Sequence, residues 1–147
     1  MTSDRVNPPH FPPARTSAPH TLRTVTAALL LTVLLAVLAV LQIALILGAP
    51  IGHFAWGGQH RVLPTRLRVG SAVSILIYAV IALVGLDRAG LVDVFPGAFS
   101  DVAIWVVFAY FVLGIGMNGI SRSKPERYTM APLCLVLSVL SFLVARL

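Results

Sequence analysis

The sequence contains few acidic residues, and they are far apart. Only five Asp and Glu residues occur in 147 positions. They are Asp4, Asp87, Asp93, Asp101 and Glu126. None has a partner carboxylate with a reason to be held beside it, as acid–base catalysis by paired carboxylates requires. An enzyme acting on lipids is therefore the weakest function class, and no catalytic residue is predicted.

Cysteine is almost absent, and histidine forms no cluster. The single Cys134 excludes an intramolecular disulfide and a zinc site built on paired cysteines. His53 and His60 lie on a glycine-rich segment without a third residue at metal-ligand spacing. Trp56-Gly57-Gly58 lacks the longer glycine pattern and the Lys-Ser/Thr pair of a phosphate-binding loop. Neither a metal nor a cofactor is predicted.

Apolar residues, by contrast, make up 58% of the chain, and its mean hydropathy is +0.92. About 20 apolar residues cross a bilayer, and four stretches reach or approach that length. They lie at about 24–47, 69–86, 101–116 and 128–144. The sequence predicts an all-α fold, a four-helix transmembrane bundle over 24–147. The first span is too long for a signal peptide, whose apolar region runs about 7–15 residues, so an uncleaved helix is expected.

The segment 1–23 differs from the rest of the chain. It contains five of the ten prolines and almost no large aliphatic residue. Because such a segment has no core to bury, it is predicted to be a disordered N-terminal tail.

Charged residues are missing from the middle of every span. Ion-coupled carriers generally need ionisable groups there, so a coupled transporter is disfavoured. Gln42 is expected to hydrogen-bond another helix or the interface. Ser71, Ser74 and Tyr78 share one face of the second span. Helix packing is favoured for that face over a polar path.

A weak internal repeat relates the second and fourth spans. Residues 64–67 (PTRL) and 125–128 (PERY) begin these spans in the same way. The repeat suggests two two-helix halves in the same orientation, related by an axis along the membrane normal. Shared helix-start chemistry is the alternative explanation.

Most of the eleven Lys and Arg residues lie near the ends of the apolar spans or in the loops between them. This placement is typical of topology signals and argues against nucleic acid as a partner. Six of them occupy the first and third loops, which an even helix count puts on one side of the membrane. They are Arg61, Arg66, Arg68, Arg122, Lys124 and Arg127. With Trp56 and His60 they are candidate contacts for anionic lipid headgroups or a partner, unless they act as topology signals only.

Two segments resemble a known family. The run GAPIGHFAWGGQHRVLPTRLRVGSAVS resembles a GAP-x-G…GG…R-V-L-P…R…S-A-V-S signature, and MNGISRSKPERYTMAPL resembles an M-N-x-x-S-R-S-K-x-E-R signature. Both are typical of small uncharacterised four-helix integral membrane proteins of bacteria. The resemblance implies a multi-pass protein of the bacterial cell membrane. It carries no activity over to this chain.

The expected function is that of a small membrane scaffold or accessory protein with a homo-oligomeric or membrane-protein partner. An oligomeric passive transporter or pore subunit is the alternative. The two basic loops are expected in the cytoplasm and both termini outside, because short loops rich in Lys and Arg are retained inside.

Overall fold

Four long helices make up most of the protein in a computed structural model, which describes residues 18–146, with side chains from position 21 onward. The helices are α1 (Ala18–Ile46), α2 (Thr65–Arg88), α3 (Phe99–Gly119) and α4 (Lys124–Arg146). Two short 3-10 turns, Gly52–Phe54 and Trp56–Gly58, lie between α1 and α2, and no strand occurs in the described residues. All four helices are long and apolar enough to cross a membrane. The predicted all-α, four-helix architecture is confirmed.

All four helices begin earlier than hydropathy predicts, α3 by only two residues. α1 begins at Ala18 rather than position 24, α2 at Thr65 rather than 69, and α4 at Lys124 rather than 128. The apolar run marks only the part of a helix that suits lipid, whereas the first turn lies in polar sequence. Residues 18–23 of the predicted tail are therefore helical, and residues 1–17 lie outside the described part of the chain.

The core lies along one face of α1. Ala28, Leu31 and Leu35 on that face are almost fully buried. They pack with buried residues of the other helices: Ile81, Val84, Ile104, Val107, Phe111, Leu137, Leu140 and Val144. α1 packs most extensively against α2, and α3 against α4. Because lipid tails are as apolar as leucine, close van der Waals packing rather than the hydrophobic effect holds such helices together.

Small hydroxyl side chains support this close packing. Ser71 is fully buried, and Ser74 donates to the backbone oxygen of Gly70 at 3.1 Å. These contacts agree with the packing interpretation of that face of α2. Ser138 and Ser141 on α4, which hydropathy does not single out, are also buried and donate to their own helix.

The loop between α2 and α3 is tied to both helices. Asp87 accepts hydrogen bonds from the backbone N–H groups of Val94 (2.7 Å) and Phe95 (3.1 Å). Arg88 pairs with Asp101 at 2.9 Å. This end of the bundle therefore contains a paired cation and anion, unlike the opposite end.

Candidate functional site

The segment between α1 and α2 folds back over one end of the bundle. Its central residues Trp56, Gly57 and Gly58 have successive positive φ angles of 57°, 77° and 66°. A bulky residue in this left-handed region costs about 1–2 kcal/mol, so other contacts must hold Trp56 there. Its indole N–H donates to the Ser71 hydroxyl at 3.2 Å. Trp56 thus attaches the loop to α2.

Gly70 on α2 makes room for the Trp56 ring. A Cβ added at Gly70 would lie 2.7 Å from that ring, closer than van der Waals contact allows. Gly58 is equally restricted, because a side chain there would collide with Ser123 at the start of α4. Two glycines therefore allow the loop to contact both α2 and α4.

Glu126 connects this loop to α4. It lies in the first turn of α4 and is only 7% exposed. One carboxylate oxygen accepts the Gly57 backbone N–H at 3.2 Å, and the other accepts the Ser121 hydroxyl. The Ser121 oxygen in turn accepts the backbone N–H of Ser123 at 3.2 Å. The buried carboxylate thus joins two loops that are distant in sequence.

Ser123 and Glu126 have the spacing of a capping box, in which the glutamate normally accepts the N-cap N–H directly. Here the Ser121 hydroxyl bridges the Glu126 carboxylate and the Ser123 N–H. The other carboxylate oxygen then accepts the Gly57 N–H. The Ser123 hydroxyl also donates to the backbone oxygen of His53. The predicted spans place Glu126 in the loop before the last helix, and this was wrong because it lies in the first turn of α4. The S-x-x-E spacing was the available signal.

The six cations of the two loops come to the same end of the bundle but do not form one uniform rim. Arg68 donates to the backbone oxygen of Leu63 at 2.8 Å and approaches Gly48, so it holds the loop internally. Arg127 is half-buried and lies over the Tyr128 ring at 5.8 Å. The other four, together with His60, are exposed: Arg61, Arg66, Arg122 and Lys124. We call these four the exposed cationic surface.

A cavity of about 400 Å³ lies beneath the loop and among all four helices. Buried Leu38, Phe111 and Leu137 line its inner part. Its mouth lies along α3, where Leu113 and Met117 are largely exposed. Its volume is within the range of about 300–1,000 Å³ typical of small-molecule sites.

Polar side chains also face this cavity. The Gln42 amide donates to the Tyr78 hydroxyl at 3.4 Å, which confirms the expected hydrogen bond from Gln42 to another helix. Its Oε1 is buried and has no hydrogen-bond partner among the residues that the structure describes. Asn118 donates to the Gly114 oxygen at 2.8 Å and contacts the Cys134 sulfur at 3.5 Å. The cavity is therefore mostly apolar with a few convergent polar groups.

The described residues contain no evident metal-binding site. No group of three His, Cys, Asp or Glu side chains in 18–146 is arranged to hold an ion. His53 stacks on Phe54 with ring centroids 4.3 Å apart, and His60 is exposed.

Comparison with known proteins found no match: no protein-family model, no curated protein and no solved structure matches the chain. The resemblance to small four-helix bacterial membrane proteins therefore stays a prediction. What is shown is a chain with four helices able to span a membrane.

Proposed function

We propose that this chain is a small accessory or scaffold protein of a bacterial cell membrane, which binds anionic lipid headgroups at its exposed cationic surface. The observation that carries the proposal is the burial of Glu126. It is the only acidic residue between Ile46 and Leu86 or between Asp101 and the C-terminus, and its carboxylate is occupied by Gly57 and Ser121. The four exposed cations therefore have no acidic partner at this end among residues 18–146.

The fixed arrangement of the two loops also supports this proposal. A binding surface gains affinity when its groups are held in place before the ligand arrives. The contacts from Glu126 to Gly57 and from Ser123 to His53 hold the loops against each other. The cations of both loops thus belong to one surface.

The alternative of a passive pore has less support. The side chains expected to line a polar path are engaged in packing: Ser71 with Trp56, Ser74 with its own helix, and Gln42 with Tyr78. Buried apolar residues also close the inner part of the cavity.

The test is retention of anionic lipid. Replacing Arg61 and Arg66 together with Gln should weaken binding of phosphatidylglycerol by about 1 kcal/mol for each charge, that is, by roughly thirtyfold for the pair. Native mass spectrometry in a mild detergent measures the bound fraction. Phosphatidylcholine, whose headgroup has no net charge, should show no such change.

The matched control neutralises two exposed cations at the opposite end, Arg23 and Arg146. This double variant should retain phosphatidylglycerol as the parent protein does. If both double variants lose lipid equally, or neither does, the cationic surface has no specific role in lipid binding and the loop charges act in topology only.

A further inference from the structure

Two polar side chains that line the cavity, Glu126 and Gln42, have unused hydrogen-bonding capacity. Glu126, which lines its outer end, accepts one hydrogen bond on each oxygen, and a carboxylate has about four acceptor positions. Gln42 has one end of its amide unpaired. The last torsion of glutamine is broad, so this amide turns toward the cavity at little cost. A ligand that donates a hydrogen bond therefore suits this cavity.

The amide of Gln42 further limits which ligand head groups fit the cavity. Exchanging its nitrogen and oxygen would pair Oε1 with the Tyr78 hydroxyl and leave the NH₂ group unpaired instead. A hydroxyl group satisfies either orientation, because it donates and accepts. No Lys or Arg of residues 18–146 lines the cavity, so a phosphate would meet the Glu126 carboxylate without a compensating cation from this part of the chain. A neutral hydroxylated head fits these groups best.

An apolar groove continues from the cavity. It has a volume of about 730 Å³, lies between α2 and α3, and shares Tyr110 with the cavity. On α2 it extends from Val73 to Val84, about 17 Å at 1.5 Å per helical residue. This is roughly half of a hydrocarbon core of about 30 Å. The groove therefore suits one extended apolar chain.

We propose that the cavity and the groove together bind one long-chain, neutral, hydroxyl-bearing amphiphile. The hydroxyl lies between Gln42 and Glu126, and the apolar chain passes Tyr110 into the groove between α2 and α3. The mouth along α3 admits the molecule from the bilayer. None of the four residues of the exposed cationic surface lines this site, although Glu126 also orders the loops that carry them.

Three probes with one chain test the chemistry of the head. They are 1-hexadecanol carrying a mid-chain diazirine, its methyl ether, and the corresponding primary amine, each photolysed with the purified protein in detergent. Peptide mapping should place alcohol labelling on α2 and α3 beside the groove. The ether, which cannot donate, should label less. Labelling by the amine should not exceed labelling by the alcohol, because moving a charged ammonium group out of water costs more than moving a hydroxyl.

Two variants test the position of the ligand. Gln42→Leu keeps the size of the side chain and should weaken alcohol labelling about fivefold, the factor that corresponds to one neutral hydrogen bond. Val106→Trp fills the groove from a position 66% exposed and should abolish labelling there. Val112→Trp, an exposed position on α3 that borders neither space, is the matched control.

Several outcomes would overturn the proposal. Equal labelling by the alcohol and its ether would remove the role of the hydroxyl. Stronger labelling by the amine would make the cavity a cation site. If Val106→Trp and Val112→Trp reduce labelling equally, or if neither reduces it, the apolar chain of the probe contacts the protein surface without a defined site. Phosphatidylglycerol retention is measured separately, so either proposal can fail alone.

Discussion

The carboxylate of Glu126 connects parts of the chain that are remote in sequence. Gly57, which donates to it, is 69 positions away, and Ser121 precedes the helix in which Glu126 lies. A buried charge is tolerated only when it is paired or hydrogen-bonded. The positive end of the α4 dipole adds to these bonds, because an acid in the first turn of a helix is favourable. The same side chain thus starts α4 and holds the α1–α2 loop.

Replacing Glu126 with Ala should release this loop. Hydrogen bonds to a charged group contribute about 1.5–3 kcal/mol, and losing them should raise the open fraction of the loop by tenfold or more. Trypsin cleavage after Arg61, which is exposed within the loop, measures that opening. Glu126→Gln retains one neutral acceptor, so its cleavage rate should lie between those of the parent protein and Glu126→Ala. Asp93→Ala, an exposed acid at the opposite end, is the control. Cleavage of Glu126→Ala at the parent rate would contradict this role.

At the level of helices and loops, hydropathy predicts the four spans because about 20 apolar residues in a row is a local property. Hydropathy alone missed the first turns of α2 and α4 since Thr65 and Lys124 lie in polar sequence, whereas the repeated segments 64–67 and 125–128 mark both starts. The course of the α1–α2 loop could not be predicted, because it depends on contacts with α2 and α4. Trp56 was predicted as a candidate headgroup or partner contact, and its hydrogen bond to Ser71 could not be foreseen. Such tertiary pairings leave no periodic pattern.

A Gly70→Ala substitution tests how this loop packs against α2. Gly→Ala inside a helix normally stabilises by about 1 kcal/mol. At Gly70 the added methyl would displace the Trp56 ring, and overpacking costs about 1–3 kcal/mol. We expect a net loss of thermal stability in detergent and a more water-accessible Trp56. Acrylamide quenching of tryptophan fluorescence in a Trp105→Phe background measures the water accessibility of Trp56 alone.

Gly116 supplies the control for this test. It lies in α3, and a Cβ there would meet nothing within 4 Å. Gly116→Ala should therefore be neutral or stabilising and leave Trp56 unchanged. If Gly70→Ala behaves in the same way, the ring does not depend on the space at Gly70.

On the scale of the whole molecule, the two ends of the bundle differ in charge pairing. At one end Arg88 pairs with Asp101, and Asp87 holds the neighbouring loop. At the other end the only acid in the described part of the chain is buried, and four cations are exposed. Cytoplasmic loops are enriched in Lys and Arg, and acids contribute little to that rule. The cations of the short α3–α4 loop therefore favour the cytoplasm for the exposed cationic surface.

This orientation can be tested with single cysteines in a Cys134→Ala background. Lys124→Cys reports the end with the exposed cationic surface, and Asp93→Cys reports the loop between α2 and α3; both positions are exposed. An impermeant thiol reagent applied to intact cells should label position 93 and not position 124, whereas both should react after the membrane is opened. The reverse pattern would place both termini in the cytoplasm. The exposed cations would then face outward, where the anionic lipid of the cytoplasmic leaflet could not be their ligand.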